Sequence, residues 1–446
     1  MKKVLLIGAG RSTYSLINYL KNNSLKYNWD ITIADRDISI AKERFQGIEQ
    51  ISIVEFDVNN EKQRKDLILG VDIVISMLPA HMHVDVAKDC IAFKKNMVTA
   101  SYISNEMKQL EDDAKASGVT IMNEIGVDPG IDHLSAMKVI DNIKDTGGKL
   151  LDFETFTGGL VSPESDDNPW NYKFTWNPRN VVLAGQGGAV KFIQEGTYKY
   201  IPYHKLFRRT ELIEIEGHGM FEGIANRDSL KYRSVYDLDD IQTMFRGTLR
   251  KPGFCRAWNA FVQLGATDDS YTIPNSENMT YREFINLFLP YNPTDSVELK
   301  FRHYLNIAHD DIVLFDKLAW LDIFKEIPVG IPNASPAKIL QSILERKWSL
   351  KKDDKDMIVM WHKFVYENDE GNRKELQSSM VIKGKDTLDT AMAMTVGLPV
   401  GITTKMILEG IIDEPGVHIP IKEQFYNPIL NELKTFGIEF IEKEIA

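Results

Sequence analysis

Residues 8–13 have the sequence GAGRST and follow the apolar run VLLI at residues 4–7. A dinucleotide-binding loop has the pattern G-x-G-x-x-G between a strand and a helix, and here Thr13 replaces the third glycine. The first glycine permits the tight turn, the second lets the backbone approach a pyrophosphate, and the third mainly eases helix–strand packing. The substitution therefore leaves the phosphate site intact. The alternative is a tight strand–helix turn without a ligand. We expect dinucleotide contacts from Gly8, Ala9, Gly10, Arg11, Ser12 and Thr13.

Further apolar runs follow at regular intervals, separated by polar-patterned segments of helical length. These runs are ITIA (31–34), ISIVEF (51–56), DIVISML (72–78), NMVTA (96–100) and VTIM (119–122). Alternation of helices with almost continuously apolar strands is typical of a parallel sheet covered on both faces. The pattern predicts an α/β fold with a Rossmann-like dinucleotide-binding domain over residues 1–127. Gly118 is expected to cap the helix predicted over residues 107–118.

The pattern changes after Ile125. Residues 128–260 mix strand-like runs with loops rich in Asn, Pro and Gly. Residues from about 351 to 387 predict a hairpin around the turn NDEGN (368–372). Both parts indicate an α+β substrate domain. Residues 261–350 predict a helical insertion. The segment 388–410 predicts a long apolar helix, bent at Pro399, that packs on the first sheet. Residues from about 388 to 446 would thus complete the first domain.

Composition and charge argue against several classes of function. The chain has 446 residues and a formal net charge of −11, which argues against binding to nucleic acid or to an anionic membrane. Two distant cysteines, Cys90 and Cys255, give no disulfide framework and fit a cytoplasmic protein. The apolar run near the N-terminus is too short for a signal core, and no apolar run of about 20 residues predicts a membrane span.

The sequence ADRD at residues 34–37 bears on the choice of cofactor. Asp35 lies 25 positions after Gly10, where an acid that binds the ribose 2′-hydroxyl of NAD is expected. Arg36 could instead pair with the 2′-phosphate of NADP. A solvated acid at a strand end is the third interpretation of Asp35. Both cofactors stay open, and Asp35 gives a slight preference for NAD.

Several longer blocks closely resemble the saccharopine dehydrogenase family, in order and over essentially the whole chain. They are VTASYIS (98–104), NEIGVDPGIDH (123–133), GGLVSPESDDNPWNYKFTW (158–176), NRDS (226–229), RGTL (246–249) and MTVGLPVGITTKMILEG (394–410). The resemblance implies a reversible oxidation of saccharopine by NAD or NADP. The products would be L-glutamate and 2-aminoadipate 6-semialdehyde, in lysine metabolism. It also implies a homodimer.

Saccharopine carries three carboxylates, so its site needs cationic side chains. Arg227 and Arg250 are expected to clamp carboxylates because a guanidinium pairs with them bidentately. Structural or surface arginines are the alternative. The resemblance adds Thr248 and Leu249 as substrate contacts.

The sequence also suggests acid–base groups. Ser101 and Tyr102 follow one predicted strand and Asp128 follows the next, and ligands of open α/β sheets bind at such strand ends. All three are expected to bind substrate, with Asp128 and Tyr102 as candidates for proton transfer. A core tyrosine, a helix-capping aspartate or a bound water are the alternatives. Asp132 is the better candidate for the cap, and His133 is expected to be a buried partner.

The resemblance implies further cofactor contacts. Trp176 would close over the nicotinamide, Asp57 and Val58 would contact the adenine, and Met77 and Leu78 would lie in the loop under the cofactor. The remaining expected contacts are Thr99, Ala100, Gly126 and Val127.

Two departures from the family pattern stand out. Thr157 replaces the family's cysteine before Gly-Gly, and Ala80 replaces a tyrosine. His81 and His83 do not share a face at i, i+2, so no metal is expected. Two other functions are compatible with the sequence: a related reductive condensation of the carboxynorspermidine type, and a dinucleotide-binding sensor without turnover.

Overall fold

The computed structural model describes residues 1–445 of the chain, apart from the side chain of Arg11. The chain forms two compact units. The first holds Met1–Lys149, Asn368–Asn372 and Met380–Glu442. The second holds Leu150–Glu367, Arg373–Ser379 and the residues from Lys443. The boundary near Lys149 lies one helix after the domain boundary predicted at residue 127.

The N-terminal part of the first unit alternates strands and helices. Its strands are β1 Lys2–Ile7, β2 Trp29–Asp35, β3 Ile51–Glu55, β4 Ile73–Ser76, β5 Asn96–Val98 and β6 Thr120–Met122. Its helices are α1 Tyr14–Tyr27, α2 Ser39–Phe45, α3 Glu61–Leu69, α4 His83–Phe93, α5 Asn105–Lys108, α6 Glu111–Ser117 and α7 Ile131–Asp145. Each predicted strand of this part is present.

The second unit begins with a long strand and contains most of the remaining elements. Its strands are β7 Lys149–Val161, β8 Val190–Gln194, β9 Thr197–Ile201, β10 Thr210–Ile215, β11 Gly219–Ala225, β12 Thr243–Arg250, β13 Asp356–Glu367 and β14 Arg373–Lys383. Its helices are α8 Pro178–Val182, α9 Phe254–Leu264, α10 Tyr281–Asn286, α11 Val297–Tyr304, α12 Ile312–Ala319 and α13 Pro336–Trp348. The C-terminal elements are α14 Ala391–Leu408, β15 Gly416–His418, α15 Glu423–Lys434 and β16 Ile441–Ile445.

The sheet of the first unit is parallel, in the order β15-β6-β5-β4-β1-β2-β3 among the described residues. Strand β1 lies between β4 and β2, so the strand order reverses there and the carboxyl end of β1 opens a crevice. Val4, Leu5, Leu6 and Ile7 are fully buried because helices cover both faces of the sheet. The α/β fold predicted from the apolar runs is confirmed.

Helix α14 packs against α1 and against strands β4 and β5. A side chain at Gly397 would place its Cβ 2.8 Å from the backbone nitrogen of Leu16, so this glycine permits close contact of the two helices. By length and composition alone α14 could cross a membrane, but 83% of its apolar window is buried inside the structure. It is therefore a core helix of the first unit, as predicted, with Pro399 inside it.

The segment predicted as one helix over residues 107–118 forms two, α5 and α6, with a break at Gln109 and Leu110. Gly118 ends α6 in the left-handed conformation with φ of +70°, as predicted.

The second unit contains a mixed sheet, in the order β10-β11-β12-β7-β13-β14-β16 among the described residues. Strand β12 runs parallel to β7 and antiparallel to β11. Strands β13 and β14 pair around the predicted turn at residues 368–372. Regular elements within residues 261–350, all of them described, are helices from the end of α9 to α13.

Candidate active site

The glycine loop lies where β1 ends and the strand order reverses. Gly8 has φ of +97°, and a Cβ there would lie 2.7 Å from the carbonyl oxygen of Met77, so only glycine fits this position. A Cβ on Gly10 would meet no atom within 4 Å, so the backbone at Gly10 borders open space. This combination fits a loop that receives a pyrophosphate beside Gly10.

Thr13, at the position of the third glycine, is accommodated in the loop. Its side chain is buried, and its hydroxyl donates a hydrogen bond of 2.7 Å to the carbonyl oxygen of Gly10. Threonine therefore fits between helix and strand. It also stabilises the loop through this hydrogen bond, which a glycine could not form. Ser12 lies in the same turn, ahead of α1. The predicted contact of the Arg11 side chain lies outside the described part of the chain.

Asp35, at the end of β2, binds backbone groups with both carboxylate oxygens. Oδ2 accepts from the backbone N–H of Ala9 at 2.6 Å, and Oδ1 accepts from the backbone N–H of Asp37 at 3.0 Å. Asp35 thus fastens the glycine loop to the second strand. Arg36 next to it is exposed.

The predicted adenine loop follows β3. Asp57 is exposed and accepts from the backbone N–H of Asn59 at 3.0 Å. The carbonyl oxygen of Val58 accepts a hydrogen bond of 2.7 Å from Nη1 of the buried Arg64. Nε of Arg64 pairs with the buried carboxylate of Asp89 at 2.6 Å. This ion pair holds the loop in place.

The two predicted acid–base candidates lie together at the carboxyl edge of the sheet. The Tyr102 hydroxyl donates a hydrogen bond to Oδ1 of Asp128 at 3.1 Å, and both side chains are partly buried. Ser101 precedes Tyr102 and is also partly buried. Adjacent parallel strands, β5 and β6, deliver these residues to one edge, which is why neighbouring strand ends predicted the pair.

The other predicted cofactor contacts of this edge differ in their exposure. Leu78, Met77 and Ala100 are partly buried, whereas Thr99, Gly126 and Val127 are buried.

A fully buried carboxylate, which the sequence did not reveal, lies behind this pair. Oε1 of Glu124 accepts from the backbone N–H of Ile103 at 2.9 Å, and its Oε2 lies 2.9 Å from Nε2 of His133. Glu124 therefore fixes the backbone directly after Tyr102. The carboxylate of Asp132 accepts from the backbone N–H of Gly130 at 2.6 Å, at the start of α7. The prediction of His133 as a buried partner is confirmed.

His83 is a second group that the sequence did not assign. Its ring is buried at the start of α4, where Nδ1 lies 2.8 Å from the Ser76 hydroxyl and Nε2 lies 2.7 Å from the Ser101 hydroxyl. Burial, together with a smaller electrostatic effect of His81, lowers the pKa of His83 to about 4. The ring is thus neutral near pH 7. Within residues 1–445, no group of three or more His, Cys, Asp or Glu could hold a metal.

The second unit holds the predicted cationic residues. Arg227 follows β11, is exposed, and has φ of +51°. Thr248 lies in β12 opposite Thr157 of β7, so the residue that replaces the family's cysteine neighbours a predicted substrate contact. Leu249 is fully buried, backbone included, and its carbonyl oxygen accepts a hydrogen bond from Arg250. Trp176 is 37% exposed.

Arg250 is buried among aromatic rings. Its guanidinium carbon lies 5.1 Å from the ring centroid of Tyr172 and 5.4 Å from that of Phe254. Nη1 donates to the carbonyl oxygen of Leu249 at 2.8 Å, and Nε is buried without a hydrogen-bond partner among residues 1–445. A guanidinium held by rings with an N–H to spare suits a carboxylate ligand better than a structural salt bridge.

The parallel sheet, the glycine loop at its switch point and the acid–base pair define a dinucleotide-dependent dehydrogenase. Two family models match the chain. One is described as the saccharopine dehydrogenase NADP binding domain and matches residues 4–122; the other, the saccharopine dehydrogenase C-terminal domain, matches residues 126–438. The chain belongs to the saccharopine dehydrogenase family.

Individual relatives agree over the full length. Saccharopine dehydrogenase (NADP(+), L-glutamate-forming) of Saccharomyces cerevisiae is 33% identical over 100% of both chains. The same enzyme of Pyricularia oryzae is 32% identical over 100% of this chain and 99% of its own length. A solved structure of apo saccharopine dehydrogenase (L-Glu forming) from S. cerevisiae superposes with a TM-score of 0.91 at 32% identity, covering 100% of each chain. The names of these enzymes give no support to the preference for NAD drawn from Asp35.

Proposed function

We propose that this protein oxidises saccharopine reversibly with a nicotinamide dinucleotide, giving L-glutamate and 2-aminoadipate 6-semialdehyde. The observation that carries the proposal is the Tyr102–Asp128 hydrogen bond of 3.1 Å at the carboxyl edge of a dinucleotide-binding sheet. Full-length identity of 32–33% to enzymes named for this reaction supports it.

The reaction divides into a redox part and a proton-transfer part. When bound, an oxidised nicotinamide would accept the hydride that leaves the carbon of the C–N bond. Hydrolysis of the resulting imine requires proton transfers, which a positioned acid–base group accelerates. Asp128 is the proton acceptor in this proposal, and the Tyr102 hydroxyl, bonded to its Oδ1, orients that carboxylate. Glu124 keeps the tyrosine in register through the backbone of Ile103.

The carboxylates of the substrate are assigned to arginines of the second unit. The buried guanidinium of Arg250, with its spare Nε–H, binds one carboxylate. Arg227 binds another. Thr248 adds a hydroxyl on the strand that carries Arg250.

The cofactor in this proposal is NADP. Each carboxylate oxygen of Asp35 already accepts a hydrogen bond from a backbone N–H, so this side chain has a structural role that does not require a ribose 2′-hydroxyl. The exposed guanidinium of Arg36 is then the group for the 2′-phosphate. The names of the relatives point the same way.

Replacement of Arg36 by leucine tests the cofactor assignment. Calorimetric titration is expected to show that the variant loses about 10-fold or more in affinity for NADP while its affinity for NAD changes little. Equal losses for both cofactors would contradict the role of Arg36.

A cytoplasmic location and a homodimer complete the proposal. Both cysteines are free and buried, which agrees with a reducing compartment. Fractionation of cells would test the location. Light scattering of the purified protein would test the dimer, and a monomer mass would contradict it.

A further inference from the structure

A hydroxyl–imidazole–hydroxyl chain crosses the carboxyl edge of the first sheet. It joins Ser76 at the end of β4, His83 at the start of α4 and Ser101 after β5. Both ring nitrogens have a hydroxyl within 2.8 Å, so the ring is held at two points. The Thr99 hydroxyl lies farther away, 3.5 Å from Nε2.

The His83 ring must be neutral to accept a hydrogen bond at one nitrogen and donate at the other, and its surroundings favour the neutral form. Ser76 is fully buried and His83 is 3% exposed, so the charged form would lose its hydration. The amino end of α4 also disfavours a cation. Among the described residues, the side chains bonded to the ring are hydroxyls, and an electrostatic effect of His81 also lowers the pKa of the ring.

A neutral imidazole has one donor nitrogen and one acceptor nitrogen, so its two neighbours cannot behave alike. If Nδ1 carries the proton, the ring donates to Ser76 and accepts from the Ser101 hydroxyl. If Nε2 carries it, the ring donates to the oxygen of Ser101, and the Ser101 hydrogen is released to point elsewhere. Ser76 then donates to Nδ1. In this exchange the N–H bond at Nδ1 breaks and one forms at Nε2: the ring returns one proton to solvent and takes one from solvent, so its net charge is unchanged.

We propose that His83 is a positioning residue that sets the donor direction of the Ser101 hydroxyl by changing tautomer when a substrate carboxylate binds. The Nε2–H tautomer holds the oxygen of Ser101 and frees its hydrogen for the ligand. Ser101 is partly buried and precedes Tyr102, which places it beside the acid–base pair. This inference rests on the proposed function, since it names saccharopine as the ligand.

Nitrogen NMR of ¹⁵N-histidine-labelled protein tests the tautomer directly. The His83→Gln spectrum identifies the resonances. We expect a neutral ring near pH 7 whose proton moves from Nδ1 to Nε2 when saccharopine saturates the enzyme with reduced cofactor, a complex in which no hydride can be transferred from saccharopine. A doubly protonated ring, or the same tautomer with and without saccharopine, would overturn the inference.

Failure of the inference about His83 can be distinguished from failure of the proposed function. If saccharopine is turned over while the His83 nitrogens stay unchanged, only the inference fails. If saccharopine is not turned over and shifts no resonance, the proposed function fails and the inference falls with it.

A double-mutant cycle separates positioning from a general structural role. We expect His83→Gln and Ser101→Ala each to raise KM for saccharopine by about 10-fold, and the double variant to match the single ones. The Kd for the cofactor should stay within about twofold in all three. An increase in KM of the double variant equal to the product of the two single increases would contradict the proposal. Equal effects on KM, kcat and the Kd for the cofactor would contradict it too.

Discussion

Replacing His83 by glutamine should make the protein resistant to mild acid. An exposed histidine takes up a proton near its ordinary pKa of 6.5, whereas burial lowers the pKa of His83 to about 4. Between these values the unfolded chain binds a proton that the folded protein refuses. The stability that neutral His83 contributes is therefore complete above pH 6.5 and is lost as the pH falls towards 4.

The magnitude follows from the two pKa values. A difference of about 2.5 pKa units, from 6.5 to about 4, corresponds to roughly 3 kcal/mol at about 1.4 kcal/mol per unit. Glutamine does not titrate, so it removes this pH dependence while keeping a polar side chain of similar reach. It also loses ring contacts, so a constant stability offset between variant and wild type is expected at all pH values.

Urea unfolding followed by circular dichroism at a series of pH values between about 7 and 4 measures the effect. The free energy of unfolding of the wild type should fall relative to that of the variant by roughly 3 kcal/mol across this range. His81→Gln is the matched control, because His81 is exposed two positions away and should retain the wild-type slope. Parallel pH profiles for wild type and His83→Gln would refute the account of a buried, neutral ring.

Three further predictions concern other parts of the structure. Gly8→Ala should destabilise the fold, because its Cβ would clash with a carbonyl at 2.7 Å, whereas Gly10→Ala should retain thermal stability yet weaken dinucleotide binding measured by titration. Equal melting temperatures for these two variants would contradict this assignment. Arg64→Met should cost about 3–5 kcal/mol in urea unfolding, because it leaves the buried Asp89 unpaired; Arg64→Met with Asp89→Leu should recover much of the loss. Arg227→Ala should raise KM for saccharopine about 10- to 100-fold, and an unchanged KM would exclude it as a carboxylate clamp.

Much of the fold could be predicted because the strands of the first unit are buried on both faces. Such strands must be apolar at nearly every position, so Val4–Ile7 and the later runs stand out in the sequence. The break at Gln109 between α5 and α6 could not be predicted, since no proline or glycine marks it.

The site was predictable to the extent that it depends on strand ends. Tyr102 and Asp128 lie four and six positions after the ends of the neighbouring strands β5 and β6, so the topology brings them to one edge of the sheet. Glu124 and His83 act through partners 21 and 18 positions away, and no spacing rule links such pairs. A charged residue two positions after an apolar strand, as at Glu124, was the available signal. For Asp35, position in the sequence did not reveal that its carboxylate oxygens bind the backbone N–H groups of Ala9 and Asp37.

The proposed roles of Tyr102, Asp128 and the arginines all depend on the oxidation of saccharopine by this chain. The most direct measurement follows the absorbance of reduced nicotinamide with purified protein and saccharopine, with NADP and NAD in separate cuvettes. The account predicts turnover with NADP, formation of L-glutamate in equal amount, and loss of turnover in Asp128→Asn. Tight binding of the cofactor without turnover of saccharopine with either dinucleotide would contradict it.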